Sequence, residues 1–195
     1  MDKKPLLIKK ALKNIPFYYM RHGLTDWNLK NLAMGQYDIP LNADGVAQAT
    51  AALPLIDKCQ VKTICHSSLQ RTKQTAEIVN RHLQSSLVEI DELKECNWGP
   101  LGGSLIEKEW IHDWLNGRCF SGTEPYSQFL ERTLKGINLA LACPPPVLIV
   151  GHGFGYRTVL YFAKLDVDFH LPHCTPIYHI PPKSADNNWQ LCLVT

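Results

Sequence analysis

"PPPVLIVGHGFGYRTVLYFAKL", residues 144–165, holds the plainest passage from strand to helix in the chain. Its three prolines stop whatever precedes them, since proline lacks a backbone donor and locks φ. Val147 to Val150 is then an unbroken apolar run of strand length, the pattern of a strand buried on both faces in a parallel sheet. The run ends at His152, between Gly151 and Gly153, and residues 153–165 read as a helix behind the strand. A polar side chain that is costly to bury therefore sits at the carboxyl end of a buried strand.

The same arrangement occurs far upstream in "FYYMRHGLTDWN", residues 17–28, where the apolar strand Phe17 to Met20 runs into Arg21, His22 and Gly23. A third example is "VKTICHS", residues 61–67, followed by the helical "SSLQRTKQTAEIVNRHL", residues 67–83. Arg71 falls in the first turn of that helix, and Ser67 with Gln70 fits a capping box. Residues 43–58 read as a helix capped by Asn42 or Asp44 and distorted near its end by Pro54. "SSLVEIDEL", residues 85–93, is a further short strand, and "PIYHIPP" (176–182) with "WQLCLVT" (189–195) is a closing strand pair.

Residues 104–143 read as a more polar helical insertion, interrupted at Gly117, Gly122 and Pro125. Residues 1–14 read as a polar leader outside the core. The expectation is one domain over 1–195, with strands alternating with helices in a three-layer α/β/α sandwich around a mainly parallel sheet.

Composition excludes several classes. A formal net charge of +2 over 195 residues gives no bulk attraction to nucleic acid or membrane, and no apolar run reaches membrane-spanning length. The 7 cysteines are odd in number, scattered, and without a C-x-x-C pair, the usage of a reduced cytoplasmic protein rather than a disulfide framework or zinc site. "HLPHC", residues 170–174, has a metal-like composition but the spacing of an ordinary loop.

Ligands of such sheets bind beyond the carboxyl ends of the strands. If the three strands are neighbours, Arg21, His22, Arg71 and His152 converge. Two guanidinium groups and two imidazoles repel one another in an empty pocket, and an anion resolves the conflict. Arginine presents a planar fork of donors to phosphate, and a helix N-terminus adds backbone N–H groups. An imidazole in that setting can act as nucleophile on phosphorus, with the arginines stabilising the transition-state charge in place of a metal.

Five stretches carry a resemblance to a known family. "YMRHGLTDWN", "GQYDIPLNADGVAQA", "HSSLQRTKQTAEIV", "LKECNWGPLGG" and "VLIVGHGFGYR" stand in the order found in the histidine phosphatase superfamily, in the branch containing cofactor-dependent phosphoglycerate mutase. The resemblance implies that His22 becomes phosphohistidine and that Arg21, Arg71 and His152 hold the phosphoryl group. It implies that Glu95 protonates the leaving oxygen and then activates water. It also implies phosphate contact from Asn28, an entrance lined by Thr25 and Gln36, a donor in the Gly153 N–H, and substrate contact near His173 or Thr175.

The mutases of this branch resemble the chain less closely beyond those motifs. Cys96, Trp98 and Phe154 replace more polar residues, which implies a less polar pocket open to water. Glu124 in "SGTEPYS" is offset by one residue from the family's G-E-S, which leaves the substrate-side wall, and with it the specificity, unassigned. The implied activity is a cofactor-independent, metal-independent phosphomonoesterase acting on a small phosphorylated metabolite. The alternatives are a mutase-like phosphotransferase and a binding module for a phosphorylated ligand.

Overall fold

The computed structural model describes residues 10–184 and 188–195. In chain order its elements are β1 (Phe17–Arg21), α1 (Asp26–Leu29), α2 (Ala43–Ala51), α3 (Leu53–Lys58), β2 (Thr63–His66), α4 (Gln70–Val79) and β3 (Ser86–Glu89). They continue with α5 (Lys108–Leu115), α6 (Tyr126–Ala140), β4 (Val147–Gly151), α7 (Gly153–Ala163), β5 (Ile177–Ile180) and β6 (Gln190–Leu193). The strands lie in the order β3-β2-β4-β1-β5-β6. The first four are mutually parallel, and β5 and β6 close the sheet antiparallel, so the parallel part is where strand ends gather.

Alternation along the strands builds the layers. Phe17, Tyr19, Cys65, Val147 and Ile149 share one cluster with Leu134, Ile137 and Ala140 of α6 and Tyr156, Val159 and Leu160 of α7. Met20, Ile64, Leu148 and Val150 point the other way, onto α2, α3 and α4. Both faces of the central strands are therefore covered, which is why β2 and β4 are buried along their whole length. A third cluster of Trp98, Trp114, Tyr126, Phe129 and Leu130 packs the helical region beside the sheet. Among the described residues no helix is long and apolar enough to cross a membrane.

Several local expectations are corrected. The helix over 43–58 is two helices, broken at Ala52, with Pro54 tolerated in the first turn of α3 because that turn has no intrahelical donor to lose. The Ser67–Gln70 capping box does not form: α4 begins at Gln70 after Leu69, with no side-chain cap from its own N-cap residue. Asp38 caps it from a distant loop, accepting from the Gln70 N–H at 2.7 Å. Of the stretch 104–143, only its first part projects beside the sheet, because α6 supplies one face of the sandwich. Residues 10–14 are not outside the core, since Leu12 is buried and Asn138 ties Ala11 and Lys13 to α6. Residues 1–9 of the expected leader lie outside the described residues.

Candidate active site

Adjacent parallel strands β2, β4 and β1 bring three carboxyl ends to one place. Arg21 is the last residue of β1 and pairs with Gly151, the last of β4. His22 and His152 follow directly, their ring centroids 5.3 Å apart. Tyr19 locks this corner: its hydroxyl donates to the His152 carbonyl and accepts from the His152 N–H, both at 3.0 Å. Glycine at 151 is required by that approach, since a Cβ there would lie 2.2 Å from the Tyr19 hydroxyl oxygen.

A cavity of about 310 Å³ opens over these strand ends. Arg21, His22, Asn28, Arg71, Glu95 and Gly153 all reach its wall. His152 is fully buried behind it. The cluster inferred from three separate stretches is thus a single place in the fold.

The cations are short of partners. Arg71, 1% exposed, gives its terminal nitrogens to the carbonyls of Tyr37 (2.9 Å) and Gly35 (2.7 Å). Its Nε, the Nε of Arg21 and the Nδ1 of His152 are buried with no hydrogen-bond partner among the described residues. Neither arginine lies within ion-pair distance of a carboxylate among those residues. A buried charge left in this state costs several kcal/mol, which an anion in the cavity would offset. The first turn of α7, with Gly153 at its start, adds N–H donors to the same wall.

Electrostatics sets the proton positions. His22 Nδ1 lies 2.7 Å from the Gly23 carbonyl, which can only accept, so the proton sits on Nδ1 and Nε2 keeps its lone pair. Burial, then Arg71, His152 and Arg21, hold this imidazole well below its usual pKa, so it is neutral at neutral pH. Burial pushes Glu95 the other way, above the usual carboxylate range. The N–H groups of Phe154 and Cys96, each 3.1 Å from a carboxylate oxygen, and the two arginines oppose that rise. An imidazole kept neutral beside a carboxyl biased toward its protonated form is an arrangement that can serve as nucleophile and acid.

The remaining expected residues are distributed unevenly. Asn28 reaches the cavity wall, but Thr25 does not line the entrance: fully buried, it caps α1 through a reciprocal box with Asn28. Gln36 also turns away from the cavity and donates to the Glu95 carbonyl at 3.1 Å. Cys96 is buried outside the cavity, so Trp98 and Phe154 alone carry the expected loss of polarity into its wall. Glu124 is not a wall residue; it pairs with Arg132 at 2.8 Å. His173 donates from Nδ1 to the His22 carbonyl at 2.6 Å, and the wall near it is formed by residues 167–171 instead.

Three contributors escaped the reading of the sequence. They are Tyr19, Arg132, and Ser67 as a partner of His152 at 2.8 Å. Tyr19 alone had a local signal, being two residues before Arg21 on the same strand.

The model of the histidine phosphatase superfamily (branch 1) matches residues 17–178. The chain belongs to the histidine phosphatase superfamily. An uncharacterized phosphatase, PhoE of Bacillus subtilis (strain 168), is 34% identical over 143 residues, spanning 72% of this chain and 73% of the relative. A probable phosphoglycerate mutase, GpmB of Proteus mirabilis (strain HI4320), is 32% identical over 155 residues, spanning 73% and 72%. In three dimensions the histidine phosphatase fold is shared with a putative alpha-ribazole-5'-P phosphatase from Escherichia coli. That likeness has a TM-score of 0.79 at 19% identity and covers 94% of this chain and 97% of the other.

Proposed function

We propose that this member of the superfamily is a metal-independent phosphomonoesterase of the cytoplasm that acts on a small phosphorylated metabolite through a phosphohistidine. The observation that carries the reading is the pair of arginines with buried, unpartnered Nε–H groups beside a neutral imidazole. Arg71, with its pKa lowered only to about 10 by burial, stays protonated at neutral pH, and the guanidinium of Arg21 carries its charge as arginine does in proteins generally. Two fixed positive charges suit a phosphate monoester dianion. Nε2 of His22 attacks phosphorus, Glu95 gives its proton to the departing oxygen, and the resulting carboxylate then takes a proton from water attacking the phosphohistidine. Phosphate leaves and Glu95 is protonated again.

The mutase reading draws support from the relatives named as probable mutases. Retaining a doubly phosphorylated intermediate needs cations beyond the phosphoryl cluster. The outer wall offers Leu32, Ile106, Trp98, Phe154 and Phe169, and its one arginine, Arg157, already pairs with Asp168 at 3.2 Å. Hydrolysis is the favoured fate.

The test is hydrolysis of p-nitrophenyl phosphate in EDTA. Wild type is expected to be active and His22→Ala to lose roughly 10³-fold or more. Activity that persists in His22→Ala, or that EDTA abolishes, would overturn the reading.

A further inference from the structure

The two active-site histidines have their protons placed by different means. For His22 the main chain decides, because a carbonyl faces Nδ1. Among the described residues no carbonyl hydrogen-bonds either ring nitrogen of His152. Its Nε2 lies 2.8 Å from the Ser67 hydroxyl, and its buried Nδ1 has no hydrogen-bond partner among the described residues. A hydroxyl both donates and accepts, so Ser67 alone leaves the tautomer open.

The chain of hydroxyls continues. Ser67 Oγ is 2.7 Å from Thr72 Oγ1, which is also 2.8 Å from the Leu69 carbonyl and 2.9 Å from the Ser67 carbonyl. Ser67, Thr72 and His152 are all essentially inaccessible to solvent, so no bulk water competes for these protons. Two proton arrangements fit the same heavy atoms. Outward, His152 Nε2–H donates to Ser67, Ser67 to Thr72, and Thr72 to a carbonyl. Every donor is then used and Nδ1 presents a lone pair. Inward, Thr72 donates to Ser67 and Ser67 to Nε2, which moves the ring proton to Nδ1.

Only the inward arrangement lets a neutral His152 donate to an anionic oxygen. The imidazolium form, which would donate from both nitrogens, is opposed by burial and by the facing Arg71, Arg21 and Arg132.

We propose that Ser67 and Thr72 are positioning residues that set the tautomer of His152, outward in the empty site and inward when a phosphoryl oxygen binds. The proposal rests on the preceding reading only in taking an oxyanion to sit between His22 and His152. The placement of the two hydroxyls has a local cause. Ser67 directly follows β2, and Thr72 is the neighbour of Arg71 in the first turn of α4. One short stretch thereby supplies both a phosphate-binding cation and the device that orients the facing imidazole.

The experiment is long-range ¹H–¹⁵N NMR of the histidine rings, with His152→Asn to assign the signal, recorded without and with inorganic phosphate or orthovanadate. The expected result is a change of His152 from the Nε2–H to the Nδ1–H tautomer on binding. Ser67→Ala is expected to weaken inhibition by vanadate by about tenfold, the worth of one buried hydrogen bond. Thr72→Val should weaken it in the same direction and Thr72→Ser should restore it, which a purely space-filling role would not do.

An unchanged Nε2–H tautomer, or an imidazolium on binding, would overturn the proposal even if Ser67→Ala failed to fold. So would a Ser67→Ala protein that folds and binds vanadate as wild type does. If vanadate bound nowhere in wild type, the phosphatase reading itself would fall, an outcome distinct from binding without a change of tautomer.

Discussion

Burial moves His22 and Glu95 in opposite directions, and chemistry needs both displacements. The proposed reaction starts from His22 neutral and Glu95 protonated. kcat/KM should rise as His22 loses its proton below the ordinary value of 6.5, and fall as Glu95 ionises above the ordinary 4.5. The pH–rate profile is therefore expected to be bell-shaped and displaced toward acid. Glu95→Gln should lose the descending limb and slow alkyl phosphate hydrolysis by roughly 10²–10⁴-fold.

With p-nitrophenyl phosphate, whose leaving group needs little protonation, the same variant should still be phosphorylated. It should then accumulate phosphohistidine, because the base for water is gone. ³¹P NMR of the trapped protein checks this, and a descending limb that survives in Glu95→Gln would remove Glu95 from its role. That these two residues meet at one cavity was legible because each stands inside a short, specific pattern. Ser67 and Tyr19 were not legible as site residues, because each acts on His152 across strands that are neighbours in space and remote in sequence.

The segment carrying Glu95 has little regular structure, and one side chain of α6 organises it. Arg132 donates to the carbonyls of Glu92 at 2.8 Å, Lys94 at 2.9 Å and Glu95 at 3.3 Å. Its Nε and Nη2 both fork onto Glu124, each at 2.8 Å, and Glu124 also accepts from the Asn97 N–H. A helix anchored in the core thus fixes the main chain on either side of Glu95. Lysine has no fork, so Arg132→Lys is expected to lower stability by about 1–3 kcal/mol. It should lower kcat for alkyl phosphates more than it raises KM. Denaturant melts and steady-state kinetics separate the two effects: lost stability with unchanged kcat would make the brace structural only.

In the sequence this helix merges with its polar approach into one insertion, and the offset of Glu124 from the family's G-E-S leaves its place open. Apolar periodicity reports which face of α6 is buried. It is silent on a polar residue that spans to a loop, and the fork joins elements that meet only after the sheet has formed. The central strands, by contrast, were visible in the sequence, because β2 and β4 are covered on both faces and β4 reads as a continuous apolar run.

At the scale of the molecule, a formal charge of +2 is too small for global repulsion to matter, so the pH dependence of stability comes from individual buried groups. His22 and His152 lie well below the usual 6.5, and burial lowers His173 and His179 to about 4. Each is neutral when folded and binds a proton more readily when unfolded. The unfolded chain therefore takes up protons first as pH falls. The stability these groups contribute is complete above about 6.5 and is lost progressively below it.

Glu95 has the opposite sign: its raised pKa makes the folded state hold a proton longer, so its contribution declines as pH rises above 4.5. One carboxyl against four histidines leaves a net loss of thermal stability on acidification. An oxyanion in the cavity compensates Arg21 and Arg71 and binds only the folded state. At about 100 times its Kd it should add roughly 2.7 kcal/mol, or about 5–10 °C in Tm for a chain of this size. Thermal melts from pH 7.5 to 5, with and without phosphate, test both statements together. Arg71→Met should abolish the phosphate-dependent rise while leaving the acid-dependent fall in place, since the histidines remain buried. A phosphate effect that survives in Arg71→Met would locate the anion elsewhere on the molecule.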